Sequence, residues 1–147
     1  MLRVDSPGGS ALASDIIWRE VEMAKKEKQV VVSMGNMAAS GGYYIVCGAN
    51  HILADESTIT GSIGVFGLLP NVKGLLNNKL GITTETVNTN SHSDVGTGYR
   101  AMTEFEQAAI QATVENVYDD FISKVAKGRG MTIEEVDEIG QGRVWAG

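Results

Sequence analysis

Residues 29–34, Gln29-Val30-Val31-Val32-Ser33-Met34, constrain this chain more than any other segment. A short, β-branched, apolar run of this kind reads as a strand buried on both faces, which calls for helices above and below a parallel sheet. The rest of the chain alternates accordingly. Apolar residues at 13, 16, 17, 21 and 24 predict a helix from Ser10 to about Lys26, closed by basic residues that suit its C-terminus. A short helix is expected from Ser40 or Gly41 to Gly48, and a strand from Asn50 to Ala54. Ile59 to Leu68 is apolar but broken by Gly61, Gly64 and Gly67, so it reads as a strand or extended loop approached by another backbone.

Further on, Val72 to Leu80 predicts a short helix stopped by Gly81, and Thr83 to Val87 alternates like a strand. Thr89 to Arg100 is polar and aperiodic, the pattern of a mobile loop. Thr103 and Glu106 form a capping-box pattern that opens the longest helix, and Gly128 closes it. Thr132 and Glu135 repeat the box for a helix to Ile139, and residues 142–147 read as a strand and turn. The class is α/β.

At 147 residues, 43% of them hydrophobic, one domain with its own core is the expectation. The formal charge of −6 and the lack of a basic run beyond Lys25-Lys26-Glu27-Lys28 argue against a nucleic-acid partner. The single cysteine, Cys47, has no internal disulfide partner and lies on an apolar face, as a packing residue does. No stretch approaches the roughly 18–20 apolar residues of a spanning helix. Both ends read as cut: Met1-Leu2-Arg3-Val4-Asp5 is the tail of a strand, and strands that should flank it are missing.

Chemistry concentrates just after the buried strand, in Gly35-Asn36-Met37-Ala38-Ala39-Ser40-Gly41-Gly42-Tyr43-Tyr44. A serine fixed by a strand, flanked by small residues and followed by two glycines, suits a nucleophile whose oxyanion is met by backbone N–H groups. A second glycine turn, Asp5-Ser6-Pro7-Gly8-Gly9-Ser10, also follows an apolar stub. Together the two turns look like an acyl-transfer site. A serine needs a proton acceptor, however. His51 reads as a surface imidazole at a strand start. His92 and Asp94 allow a Ser40-His92-Asp94 triad to be written, though both lie in the polar loop. Lys25, Lys26, Lys28, Lys73, Lys79, Lys124 and Lys127 fall in helices or at their ends, on faces that read as exposed. By residue type alone the chain holds a nucleophile without a convincing base.

Four segments in order carry a family resemblance: residues 2–10, residues 33–44, Thr60-Gly61-Ser62-Ile63-Gly64-Val65-Phe66-Gly67, and Gly142-Arg143-Val144-Trp145. They resemble the signal peptide peptidase A (SppA) family of serine peptidases. The resemblance implies the ClpP/crotonase-like superfold of stacked β-β-α units and a Ser/Lys dyad without cofactor. It implies Ser40 as nucleophile, the N–H of Gly9 and of Gly41 as oxyanion donors, and Ser62 as the residue that orients the lysine. Where single-domain members carry the base lysine, this chain has Ser93 in Asn90-Ser91-His92-Ser93-Asp94. That loss resembles the serine-bearing C-terminal half of the long tandem members, whose lysine comes from the N-terminal half in a membrane-anchored oligomer. By the same resemblance, the partners are signal peptide remnants or other unfolded peptides and a homo-oligomer or tandem half supplying the lysine. The resemblance also implies a location at the bacterial inner membrane, with the catalytic domain facing the periplasm.

The apolar stretch from Ile63 to Leu69 is expected either to bind peptide as an added strand, with Ile63, Gly64 and Val65 as the substrate-binding residues, or to be a plain core strand. Two rival functions stand beside the peptidase. One is a catalytically incomplete assembly or peptide-binding domain of the same family, favoured by the missing base. The other is a crotonase-type acyl-CoA enzyme, for which no acidic residue is suitably placed.

Overall fold

A computed structural model describes residues 1–147. It is a mixed α/β structure with one five-stranded sheet. In chain order the elements are β1 (Leu2–Ser6), α1 (Ala11–Glu27), β2 (Val31–Ala39), α2 (Gly41–Tyr44), β3 (His51–Leu53), β4 (Ile59–Gly61), α3 (Lys73–Leu75) running on as a π-helical segment (Leu76–Leu80), α4 (Glu104–Arg129), α5 (Ile133–Ile139) and β5 (Val144–Ala146). The strand order is β1-β2-β4-β5, with β3 also paired to β2. Strands β1, β3 and β4 run parallel to β2, and β5 is antiparallel to β4.

Strand β2 is longer than its apolar run suggests, continuing past Met34 to Ala39. Its first half pairs with β1 and β3, and its second half, from Met37, pairs with β4. Between the halves the ladder to β1 is irregular, and side chains take its place. Asp5 Oδ1 accepts from the Met37 N–H at 3.1 Å, and the buried Thr58 donates its hydroxyl to the Gly35 carbonyl at 2.8 Å. A side chain at Gly35 would stand 2.6 Å from Asp5 Cγ, so one there would displace the Asp5 carboxylate from its place at the crossing. These long-range partners extend the strand to the edge of Ser40.

Two compact units make up the chain: Met1–Val65 with Glu115–Gly147, and Phe66–Val114. The first contains the sheet and two buried apolar clusters. Val4, Val32, Met34, Ala38, Val46 and Ala49 form one, and Tyr44, Cys47, Ile63, Phe121, Val125 and Val136 form the centre of the other. Helix α1 starts at Ser10, whose Oγ accepts from the Ala13 N–H, and α5 starts with the expected Thr132/Glu135 capping box.

In the second unit, Gly81 at φ 65° ends the π-helical segment as expected. Thr83–Val87 is not a strand. The alternation is present but nothing pairs with it, and Val87 is exposed. Nor is 89–100 a featureless loop. It winds through successive turns and is tied at its centre by Arg100, which donates two hydrogen bonds to Asp94 (2.8 and 2.7 Å) and two to Glu106 (2.7 and 2.6 Å). Glu106 also closes the Thr103 capping box that begins α4.

Candidate functional site

Ser40 occupies the turn between β2 and α2 with φ 52° and ψ −122°, a conformation that L residues with side chains disfavour. The surroundings hold it there. Its N–H donates to the Gly61 carbonyl of β4 at 2.9 Å, and its carbonyl accepts from Tyr43 (3.0 Å) and Tyr44 (2.9 Å). Its hydroxyl makes no capping bond to the helix. A strained strand-to-helix turn of this type presents a serine side chain outward with fresh helix N–H groups beside it.

The second glycine turn packs directly onto this one. A methyl built on Gly8, at φ 105°, would lie 2.7 Å from Gly41 N and 2.8 Å from Ser40 Cβ. One built on Gly41 would meet Gly9 N at 3.1 Å and Ser14 Oγ at 2.5 Å, and one on Gly42 would meet the Ser6 carbonyl at 2.5 Å. Ser14 is itself buried, with its hydroxyl donated to the Ser10 carbonyl at 3.0 Å. Ser40, Gly9 and Gly41 are therefore gathered at one place, by backbone contact that any side chain on Gly8, Gly41 or Gly42 would disrupt.

Ser62 follows β4 with a positive φ of 49°, and its N–H donates to the Arg143 carbonyl at 2.8 Å. Ile63 and Gly64 lie against the same incoming segment. The Ile63 carbonyl accepts from Gly142 at 2.7 Å, and a side chain on Gly64 would stand 2.6 Å from Gly142 N. The Ile63 side chain is 3% exposed and packs beside Tyr44 and Phe121, as part of the core. Val65 is half-buried.

Among possible bases, Lys124 differs from its sequence reading. Its side chain is 17% exposed, not on an open face. Its Nζ donates to Asp15 Oδ1 at 2.5 Å and to Tyr44 Oη at 2.7 Å, and Tyr44 in turn donates to Asp15 at 3.0 Å. Burial acts to lower the Lys124 pKa, but the bonds to Asp15 and Tyr44 outweigh it and leave the pKa raised. The Asp15 pKa is lowered, chiefly by the Lys124 hydrogen bond. His92 belongs to the second unit, where its Nδ1 lies 2.8 Å from Glu106 Oε1. Ser93 is exposed and donates its hydroxyl to the Asn90 carbonyl, and His51 is exposed at the start of β3. Cys47 is fully buried, and burial pushes its thiol up to about 12.

Two groups escaped the sequence reading: the Asp15–Tyr44–Lys124 cluster and the Arg100 cage. The first joins residues 109 positions apart, so no local pattern announces it. For the second, the capping box at Glu106 was the available signal.

The model for peptidase family S49 matches residues 22–147, a span that includes Ser40, Gly41 and Ser62 but not Gly9. Among curated proteins, the chain is 43% identical to Protease 4 of Haemophilus influenzae and 45% identical to Protease 4 of Salmonella typhi, in each case over all of this chain and 24% of the relative. It is 38% identical to the chloroplastic serine protease SPPA of Arabidopsis thaliana, over all of this chain and 22% of that protein. The chain thus spans about a quarter of the length of these relatives.

Proposed function

Given that the chain belongs to peptidase family S49, we propose that it is the serine-bearing part of a Ser/Lys-type endopeptidase, built on the ClpP/crotonase-like fold. Ser40 is the nucleophile in this reading, and the N–H groups of Gly9 and Gly41 receive the oxyanion. Ser62 orients a lysine that enters from another domain or subunit, since Ser93 occupies the family's lysine position. The hydroxyl attacks the scissile carbonyl as the lysine takes its proton, and the same lysine returns that proton to the leaving amine. Water then releases the acyl group.

One observation carries the reading: Ser40 stands at positive φ on a strand-to-helix turn against which the Gly8–Gly9 backbone is packed. The state of Lys124 supports a borrowed base, because the most enclosed lysine by Ser40's helix is already committed to Asp15 and Tyr44. The substrates proposed are signal peptide remnants and other unfolded segments, cleaved after small or apolar residues. Such a peptide lies along Ile63–Val65, where the N–H groups of Gly64 and Val65 make no hydrogen bond within the chain. The proposal extends to an oligomer at the bacterial inner membrane facing the periplasm. No helix of this chain is long and apolar enough to cross a membrane, so the anchor in this reading belongs to another segment.

A fluorophosphonate probe tests the core of it. The full-length protein should be labelled at Ser40, and Ser40→Ala should abolish both labelling and peptide hydrolysis. Hydrolysis that persists in Ser40→Ala refutes the assignment. Peptide binding without turnover in the full-length protein would favour the second reading, a binding or assembly domain, to which the commitment of Lys124 to Asp15 and Tyr44 also points.

A further inference from the structure

Helix α2 is only four residues long, and its first two residues, Gly41 and Gly42, have no side chains. A single turn of this kind has no stability of its own. Yet it fixes Ser40 at a positive φ that a serine side chain disfavours. The Ser6–Gly9 loop braces the turn from the front through glycine contacts. At the back, Tyr44 is its buried anchor. The Tyr44 N–H donates to the Ser40 carbonyl, its ring lies 4.6 Å from that of Phe121, and its hydroxyl joins Asp15 of α1 and Lys124 of α4. Lys124 Nζ further stands 4.8 Å over the Trp18 ring of α1.

We propose that Lys124 is a positioning residue for Ser40: its ammonium, shared between Asp15 and Tyr44, ties the last residue of α2 to α1 and α4 and so keeps the turn in the shape that presents the serine. The inference rests on the reading of Ser40 as the nucleophile. A shift of Tyr44 passes to Ser40 directly, because the Tyr44 N–H is bonded to the Ser40 carbonyl. Lys124 does not accept the Ser40 proton. With its pKa raised and that of Asp15 lowered, the pair stays ionised through the neutral range. The charge works by being permanent.

The test uses the full-length protein with Lys124→Met, Lys124→Arg, Tyr44→Phe and Ser40→Ala, and reads two quantities. One is the rate of fluorophosphonate labelling against pH, and the other is deuterium uptake by peptides covering residues 38–47, with residues 31–37 of β2 as the folding reference. Lys124→Met should slow labelling roughly ten- to hundredfold without moving the pH midpoint, the scale expected when a nucleophile is misplaced by an ångström or less. Uptake in 38–47 should rise about tenfold while β2 is unchanged, as for local opening of one turn. Lys124→Arg should restore most of both, and Tyr44→Phe should move both the same way by less. If Lys124→Met also loosens β2, Tyr44→Phe decides. Wild-type labelling and uptake in both the Met and Phe variants overturn the proposal, and so does loss of the pH midpoint in Lys124→Met, which would make the lysine the proton acceptor. Labelling that survives Ser40→Ala refutes the nucleophile instead, and uptake still reports whether Lys124 holds the turn.

Discussion

The backbone N–H of Ser40 donates to the carbonyl of Gly61 at 2.9 Å, joining the ends of β2 and β4 at the point where both chains turn. Each partner is followed or accompanied by a residue at positive φ that is not glycine: Ser40 at 52° and Ser62 at 49°. Two disfavoured conformations one hydrogen bond apart mark this as the place where folding yields to another requirement.

Stability should therefore rise when that requirement is removed. Backbone strain of this kind costs about 1–3 kcal/mol, and a glycine's extra freedom in the unfolded chain costs roughly 0.5–1 kcal/mol. Ser40→Gly is expected to be more stable than Ser40→Ala by about 1 kcal/mol, since alanine keeps the Cβ and its strain. Urea unfolding of the two variants measures it. A Ser40→Gly midpoint below that of Ser40→Ala would show that the turn is unstrained.

What the sequence made legible was local. The alternation of helix and strand, both capping boxes and the stop at Gly81 all lie within a few residues of their cause. The length of β2 was not legible, because Met37–Ala39 are held by β4 and by Asp5, 32 positions from Met37. Lys124 read as exposed because only the packed α1 and α2 enclose it. Thr83–Val87 misled in the opposite sense. Its alternation satisfies the rule for a strand, but a strand also needs a neighbour.

The two glycines of the first turn should respond to different degrees. A side chain on Gly8 would press on Gly41 N, Ser40 Cβ and the Ala39 carbonyl, all within 3.1 Å, at a φ of 105°. Gly9 has open space where a side chain would go. Gly8→Ala is expected to cost about 1–3 kcal/mol from overpacking, with strain in addition, and to remove probe labelling of Ser40. Gly9→Ala should cost only the backbone strain of a side chain at its φ of 154°, about 1–3 kcal/mol, with no overpacking added. Comparable losses in both variants would mean that the Gly8 contact does not decide the packing of the two turns.

Acid should loosen the Arg100 cage before it unfolds the sheet. Glu106 is held well below the usual carboxylate range, first by the hydrogen bonds from Arg100 and then by His92 and the Thr103 N–H. The Asp94 pKa is lowered, chiefly by Arg100 as well. A depressed carboxylate contributes stability above its unfolded pKa, and that contribution is lost as pH falls through the folded value. From unfolded values of 4.5 for Glu106 and 3.8 for Asp94, the contribution is complete at neutral pH and declines below about pH 4.5. Deuterium uptake in peptides covering residues 90–106 should stay constant from pH 7 to 5 after correction for intrinsic exchange, then rise toward pH 2. Glu106→Gln should show high uptake already at pH 7 and a shallower acid rise, because one of the two charges that Arg100 grips is gone at every pH. Parallel profiles for the two proteins would mean that the loop is ordered by its turns alone and owes nothing to the ion pairs.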